Sequence, residues 1–285
     1  TARGRGLTIE EEELAEQVKF IAEFLERNQG GYLEGKGQGG QADTAGYALV
    51  AVELAGREPD AITAAVTSYL LQRNADTDRW RANSRRPPSE GSDFTTTYVA
   101  LRGLTHFGTE EQREPIEKRR AEVLAWLLKA EPREHEDRVF RLLGLHAAKA
   151  ADDVLEAAAQ ELLKRQRADG GWAQLDGGEP AAALESDPYA TATALVALHW
   201  AAGLPTEDSA YQHGMRFLLE TQQADGSWHV ASRSKPFQTY FETGYPHGTD
   251  QFISSAAGGW ATTAFGLALP VSEETEEESG DSTAN

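Results

Sequence analysis

The chain has 285 residues, no cysteine and a formal net charge of −19, from 27 basic and 46 acidic residues. The negative charge disfavours nucleic acid and anionic membrane surfaces as partners, because both would repel it. The absence of cysteine excludes disulfides and thiolate metal ligands. No apolar run is long enough to span a bilayer, so we expect a soluble chain without stable membrane insertion.

The chain opens on Thr1 rather than on methionine. We expect either a terminus left by processing or a piece of a longer protein or assembly. A cytoplasmic location and an exported one both remain open.

The amino-terminal pattern predicts a pair of helices. Apolar residues recur at helical spacing over about residues 7–28. We expect this first helix to end at the turn Gly30-Gly31-Tyr32. A second helix is predicted from Asp43 to Gly56, where the glycine closes it.

The same plan recurs along the chain. The further predicted helices cover about residues 60–74 and 93–104, 115–129 and 137–150, 152–167 and a helix that starts at 187, and 209–223 and 250–269. Five such hairpins cannot each bury their own apolar face, so they should stack around a shared core. We predict one domain over residues 7–270, with a disordered N-terminus at 1–6 and a disordered acidic tail at 271–285.

Two of the predicted hairpins share a specific turn. Gln166-Arg-Ala-Asp-Gly-Gly-Trp172 reappears as Gln222-Gln-Ala-Asp-Gly-Ser-Trp228. A repeated turn implies a repeated architecture. The pattern resembles the QW repeat of squalene/hopene cyclases and of the related prenyltransferase-like α/α toroids, and the segment 186–198 strengthens this resemblance.

The resemblance implies an all-α fold, an α/α toroid of about five helical hairpins with inner and outer rings. In that family the Gln and Trp of the repeat tie neighbouring repeats together. Gln166, Trp172, Gln222 and Trp228 are therefore expected to be structural. Related toroids usually have six or more hairpins, so five imply a smaller ring, an irregular closure or a part of a longer protein.

One aspartate stands at the start of each second helix: Asp43, Asp93, Asp137, Asp187 and Asp250. If these helices form the inner ring, the five carboxylates should converge on one opening. Aspartate is a good helix N-cap, so a capping role is the structural alternative. The functional alternative is a general acid whose pKa is raised by mutual repulsion, or a cation site.

Candidate catalytic residues follow from this placement. They are Asp43, Asp93, Asp187, His247 and Asp250. The last two lie three residues apart at a helix start and are expected to form an acid–base dyad. A loop histidine with one ordinary hydrogen bond is the alternative.

The cyclases that the chain resembles carry an acid motif, Asp-x-Asp-Asp followed by Thr-Ala. Here the segment from Gly40 to Ala45 keeps only the last acid, Asp43. Ordinary squalene cyclisation is therefore not expected. The zinc site of related prenyltransferases requires a cysteine, so we predict neither a metal site nor a cofactor.

Side chains near the inner helices are candidates for ligand binding. They are Tyr47, Tyr98, Arg138, Tyr189, Tyr245 and Trp260. Aromatic rings contact apolar, cationic and sugar ligands, and arginine binds carboxylates or phosphates. Ordinary packing between helices is the alternative for each.

Three functions remain open. The first is a terpenoid-cyclase-like toroid that binds or transforms a hydrophobic, isoprenoid-like ligand with rim aspartates as acids and bases, an isomerase or cyclase if catalytic. The second is a non-catalytic toroid for ligand or protein binding, and the third is a polysaccharide lyase-like enzyme. We expect a deep aromatic pocket for the first, a blocked mouth for the second and an open groove with arginine beside a base for the third.

Overall fold

A computed structural model describes residues 3–6, 8–177, 183–236 and 239–270. Within these ranges the regular elements are helical, and the only strand-like feature is an isolated bridge between Arg86 and Glu90. The helices are α1 (Glu11–Leu33), α2 (Ala42–Leu54), α3 (Ala61–Gln72), α4 (Asp93–Phe107), α5 (Arg113–Leu127), α6 (His135–Ala147), α7 (Asp152–Leu163), α8 (Pro188–Ala202), α9 (Ser209–Thr221) and α10 (Gln251–Ala268). The predicted all-α class is confirmed.

Contacts along the chain cluster into two compact units. The amino-terminal unit contains residues 15–164 and 233–236. The carboxy-terminal unit contains the described residues before 15, between 165 and 232, and from 239 onward. The prediction of one domain over residues 7–270 stays a prediction.

Each unit is built from packed helical hairpins. In the amino-terminal unit α2, α4 and α6 lie side by side, and α3, α5 and α7 pack against them. In the carboxy-terminal unit α8 lies beside α10, and α9 packs on both. This alternation of an inner helix with a covering helix is the packing expected of an α/α toroid. Within the described ranges, every helix is too short or too polar to cross a lipid bilayer.

The first helix differs from its prediction. The predicted turn at Gly30 and Gly31 is wrong, because α1 continues through both glycines to Leu33. Tyr32 in its last turn is fully buried, and its ring centroid lies 5.3 Å from that of Tyr69 on α3. Each glycine within a helix costs about 1 kcal/mol, and we attribute the continuation of the helix to this burial.

The chain ends lie partly outside the described residues. Within the predicted disordered segment 1–6, Arg3–Arg5 form a 3-10 turn, and the Arg5 guanidinium donates to the Leu269 carbonyl. Residues 271–285 are outside the described ranges, so the disordered acidic tail stays a prediction.

The tryptophan turns share a hydrogen-bonding pattern. The indole of Trp80 donates to the Leu70 carbonyl at 2.9 Å, and that of Trp228 donates to Leu218 at 2.8 Å. In both turns the acceptor lies ten residues before the tryptophan, at the end of a covering helix. Trp80 and Trp172 are fully buried and Trp228 is 5 % exposed. The turns therefore anchor each covering helix to the core.

The glutamines of these turns bind backbone carbonyls. The Gln166 amide donates to Gly170 within its turn at 2.9 Å and to Ala210 on α9 at 2.7 Å. Gln222 makes the equivalent bond to Gly226 at 2.9 Å. Gln166 thus joins its turn to the following hairpin, as expected for a repeat-tying residue, while the QW assignment itself stays a prediction.

The surroundings of the two turn glycines predict that alanine is tolerated better at Gly226 than at Gly170. Gly170 and Gly226 both have φ +84, a conformation that disfavours a side chain by about 1–2 kcal/mol. A Cβ on Gly170 would also lie 2.5 Å from the His213 carbonyl oxygen, whereas nothing lies within 4 Å of one on Gly226. We expect Gly170→Ala to lower the free energy of unfolding by about 1–3 kcal/mol more than Gly226→Ala. Urea unfolding checks this, and equal losses would contradict the packing described for α9.

Candidate functional site

The starts of α2, α4 and α6 meet in the amino-terminal unit. Ser92, the N-cap of α4, donates from its hydroxyl to Asp137 on α6 at 2.7 Å. Thr96, one turn into α4, donates to Asp43 on α2. Two of the predicted acids are therefore joined through α4, and the unit gathers Asp43, Asp93 and Asp137 at one end.

Three consecutive threonines of α4 make this arrangement possible. Thr95, Thr96 and Thr97 are fully buried although threonine is a poor helix former. Thr95 donates to Glu136 on α6 at 2.8 Å, Thr96 donates to Asp43, and Thr97 donates to the Trp80 carbonyl at 3.1 Å. Each hydroxyl therefore binds a group outside α4.

Asp43 is an acid of this group with a clearly raised pKa. It is 3 % exposed and does not cap its helix, because Gln41 occupies the N-cap position. Its carboxyl accepts from the Thr96 hydroxyl and lies within reach of the Asn83 backbone amide. Burial raises the pKa of Asp43 to about 6, although hydrogen bonds from Thr96 and from the Asn83 backbone oppose the rise.

Repulsion has a smaller effect on Asp43 than the sequence suggested. Glu90 and Asp93 also raise its pKa, but burial is the larger cause. A carboxyl with a pKa of about 6 holds its proton in a large fraction of molecules at mildly acidic pH. Asp43 can therefore act as a proton donor there.

Asp93 is held differently. It follows the N-cap Ser92, and its two oxygens accept from the Arg79 guanidinium at 2.8 Å and from the Ala82 amide at 2.9 Å. Arg79 also lies 5.3 Å from the centroid of the Trp126 ring. Asp93 therefore fixes an arginine and a loop, which is a positioning role.

Glu136 was missed by the sequence analysis. The pattern of one aspartate at the start of each second helix pointed to its neighbour Asp137. In the structure Asp137 accepts from the Arg133 and Glu134 amides at 2.9 and 3.3 Å as part of a helix cap. Glu136 is 3 % exposed and accepts from Thr95. The threonine run of α4 was the only available signal.

Tyr47 is close enough to both buried acids for their charges to raise its pKa. It stands one turn after Asp43 on α2 and is 38 % exposed. Burial raises the pKa of its hydroxyl well above the usual value, and Glu136 and then Asp43 add to the rise. The Tyr47 hydroxyl is therefore neutral at physiological pH.

A cavity of about 720 Å³ opens at this end of the unit. Phe94 and Trp126 form an aromatic wall, with ring centroids 4.7 Å apart. The charged residues that line it are Arg79, Arg85, Arg133, Arg233, Asp93, Glu131, Glu134, Glu136 and Asp137. The lining is thus polar with one aromatic face.

Three predicted ligand contacts have other partners. Tyr98 is 8 % exposed, and its hydroxyl accepts from Arg102 at 3.1 Å. Arg138 pairs with Glu161 on α7 at 3.2 Å. Tyr189 is 1 % exposed within α8 and therefore packs in the core, where it offers almost no surface to a ligand.

Asp187 is the N-cap of α8, as the structural alternative foresaw. Its carboxylate accepts from the Ala190 amide at 3.0 Å at the start of α8, where Pro188 occupies the first position. Burial raises the pKa of Asp187 to about 6, against the hydrogen bonds from Ala190 and Gln174 that lower it.

The histidine that pairs with Asp250 is His229 rather than the predicted His247. Asp250 accepts from His229 at 2.8 Å and from the Ser232 amide at 2.9 Å. Burial acts to raise its pKa, but these hydrogen bonds outweigh it and lower the pKa. His229 is not among the residues predicted from the sequence, and its separation of 21 residues from Asp250 carries no local pattern.

His247 instead joins the tryptophan turn. Its Nε2 lies 2.7 Å from the Ser227 hydroxyl, which donates to Asp225 at 2.6 Å. The His229 and His247 rings are 4.9 Å apart. The two histidines therefore tie the residues before α10 to the turn that carries Trp228.

The two remaining predicted ligand residues are partly exposed in the carboxy-terminal unit. Tyr245 lines a cavity of about 510 Å³ beside Asp225 and Ser227. Trp260 on α10 lies 6.4 Å from Trp200 on α8, measured between ring centroids. No group of three metal-ligating side chains occurs among the described residues.

Residues 138–261 match the family model of the squalene-hopene cyclase C-terminal domain. This segment is squalene-hopene cyclase-like. The match confirms the resemblance predicted from the repeated turn, and it covers fewer than half of the residues. A comparison with curated proteins found no match.

The cyclase-like segment begins within α6 and ends within α10. It includes Asp187, His247 and Asp250 together with both Gln-to-Trp turns. Asp43, Tyr47 and Glu136 precede it. The buried acids of the amino-terminal unit are therefore a feature of this chain outside the matched segment.

Proposed function

We propose that the chain is a terpenoid-cyclase-like protein that binds a small, largely apolar ligand in the amino-terminal unit and uses Asp43 as a proton donor. The observation that carries this proposal is the environment of Asp43. It is 3 % exposed, and burial raises its pKa to about 6 although hydrogen bonds from Thr96 and the Asn83 backbone act to lower it.

The cavity beside α4 is the proposed ligand site. Thr96 binds both Asp43 and the backbone of Ser92, and Ser92 lines the cavity. Asp43 does not itself line the cavity, and Thr96 connects it to Ser92, which does. Phe94 and Trp126 offer an aromatic wall for an isoprenoid-like group.

The pKa of Asp43 limits the chemistry. A carboxylic acid of this strength protonates oxygen-containing or conjugated groups far more readily than an isolated alkene. The general acid catalysis available here therefore suits a ligand with a polarised bond. This agrees with the absence of the two other acids of the cyclase motif.

Paired variants test the proposal. We expect wild-type protein to bind farnesene and farnesol in calorimetry, and Asp43→Asn to retain binding but lose any product detected by gas chromatography. Asp152→Asn, an exposed acid on α7, should behave as wild type. Product formation that is unchanged in Asp43→Asn would overturn the role of Asp43, whereas binding without product in all variants would identify a non-catalytic binding protein.

A second candidate function is favoured by the lining of the cavity. Four arginines and five acids surround its opening beside the aromatic wall. This matches the open, arginine-containing groove expected of a lyase for acidic sugars. Binding of trigalacturonate but not of farnesene or farnesol would establish that candidate instead.

A further inference from the structure

We propose that Arg85 and Arg133 bind a carboxylate in the cavity of the amino-terminal unit, so that the ligand of this unit is a carboxylic acid with a single negative charge. This inference rests on the proposed function, because it concerns the same cavity, and it names the charged group of the ligand.

Four arginines line this cavity, and two of them are held by acids of the protein. The Arg79 guanidinium donates to Asp93 at 2.8 Å and lies 5.3 Å from the centroid of the Trp126 ring. Arg233 donates to Glu134 at 2.9 Å. Both arginine side chains are partly buried. These two arginines therefore belong to the wall of the cavity.

The other two arginines are available to a ligand. Arg85 comes from the loop before α4, and Arg133 comes from the loop between α5 and α6. Both are exposed, and neither guanidinium makes an ion pair or a hydrogen bond within the part of the chain that the structure describes. A planar guanidinium binds a carboxylate through two parallel hydrogen bonds. Two such groups at one cavity therefore suit an anionic group of a ligand.

The formal charge of the lining limits this anion to one negative charge. Four arginines and five acids line the cavity, which gives the lining a formal charge of −1. The cavity as a whole therefore repels a ligand more strongly as the negative charge of the ligand increases. A carboxylate carries one charge, and the uncompensated groups nearest to solvent include two guanidinium groups to bind it.

The same cavity offers a surface for the rest of the ligand. The ring centroids of Phe94 and Trp126 lie 4.7 Å apart in its wall. An aromatic wall beside two guanidinium groups suits an acid whose apolar part packs on the rings. Acidic sugars also carry a carboxylate, so both kinds of acid serve as probes.

Four probes test the site: farnesoic acid, farnesol, farnesyl phosphate and trigalacturonate. We expect the wild-type protein to bind farnesoic acid at least about 10-fold more tightly than farnesol at neutral pH, because charge-assisted hydrogen bonds are gained. Added salt should reduce this ratio, because it screens exposed charges. The double variant Arg85→Gln, Arg133→Gln should reduce the ratio to about twofold or less while its affinity for farnesol stays unchanged. Calorimetry gives all the affinities.

Arg81→Gln is the matched control. Arg81 is exposed in the same loop as Arg85 but does not line the cavity, so this variant should keep the wild-type ratio. Equal binding of farnesoic acid and farnesol, or a ratio that the double variant leaves unchanged, would overturn the carboxylate site alone. An equal loss in Arg81→Gln would overturn it too. Tighter binding of farnesyl phosphate than of farnesoic acid would overturn the limit to one negative charge.

Trigalacturonate distinguishes the two candidate functions. If it binds while farnesoic acid and farnesol do not, and the double variant loses this binding, the carboxylate belongs to an acidic sugar and the proposed apolar ligand is wrong. Failure of all four probes to bind would overturn the proposed function together with the carboxylate site.

Discussion

Trp172→Ala is expected to lower the free energy of unfolding by about 3–5 kcal/mol. Trp172 is fully buried in the turn that follows α7, and its backbone amide donates to Thr191 on α8 at 3.0 Å. Removal of the indole leaves a cavity where the turn meets α8. Urea unfolding followed by circular dichroism measures the loss.

The control for this variant is an aromatic residue that is not packed. Phe252 on α10 is 59 % exposed, so Phe252→Ala should change the free energy of unfolding by no more than about 0.5 kcal/mol. If Trp172→Ala unfolds at the same urea concentration as Phe252→Ala, the anchoring role of the tryptophan turn is wrong.

Asp43→Asn is expected to flatten the pH dependence of the free energy of unfolding. The pKa of Asp43 is raised from 3.8 to about 6 in the folded protein. Between these two values the folded state binds a proton that the unfolded chain has released. Stability therefore falls as pH rises from about 4 to 6, by about 3 kcal/mol in total for this group.

The variant should not show this fall, because asparagine does not titrate. Urea unfolding at pH 4, 5, 6 and 7.5 should give a flatter profile for Asp43→Asn than for wild type. A profile parallel to that of wild type would show that Asp43 titrates normally, and the proposed acid would lose its basis.

Asp60 provides a control whose effect on the pH dependence of stability has the opposite sign to that of Asp43. Burial acts to raise its pKa, but hydrogen bonds from Thr63 and Arg57 outweigh it and lower the pKa. Its stabilising contribution is therefore lost as pH falls through the folded pKa. Asp60→Asn should remove a loss of stability at acidic pH, whereas Asp43→Asn should remove a loss toward neutral pH.

Several features of the fold were predictable because their causes are local. Apolar periodicity and caps place α3, α4 and α8 within a few residues of their predicted starts. The Asp–Pro start of α8 and the Gly-containing turns before Trp172 and Trp228 are short-range signals. The end of α1 was not predictable, because the partner that buries Tyr32 is Tyr69, far along the chain.

The candidate site was predictable only in part. The position of Asp43 at the start of α2 follows from the pattern, but its partner Thr96 is 53 residues away. The pairing of Thr95 with Glu136 spans 41 residues, and that of His229 with Asp250 spans 21. No local spacing rule connects such residues, so Glu136 and His229 were overlooked.

The sequence by itself determined the helical class, the repeated Gln-to-Trp turn and the resemblance to squalene/hopene cyclases, since periodicity and turn chemistry act over a few residues. The tertiary structure decided which of the aspartates have a raised pKa. Five aspartates occupy equivalent places in the pattern, yet Asp93 accepts from Arg79 and Asp250 from His229, whereas burial raises the pKa of Asp43 and Asp187. A pKa depends on the atoms that surround a carboxyl in space, and those atoms come from distant parts of the chain.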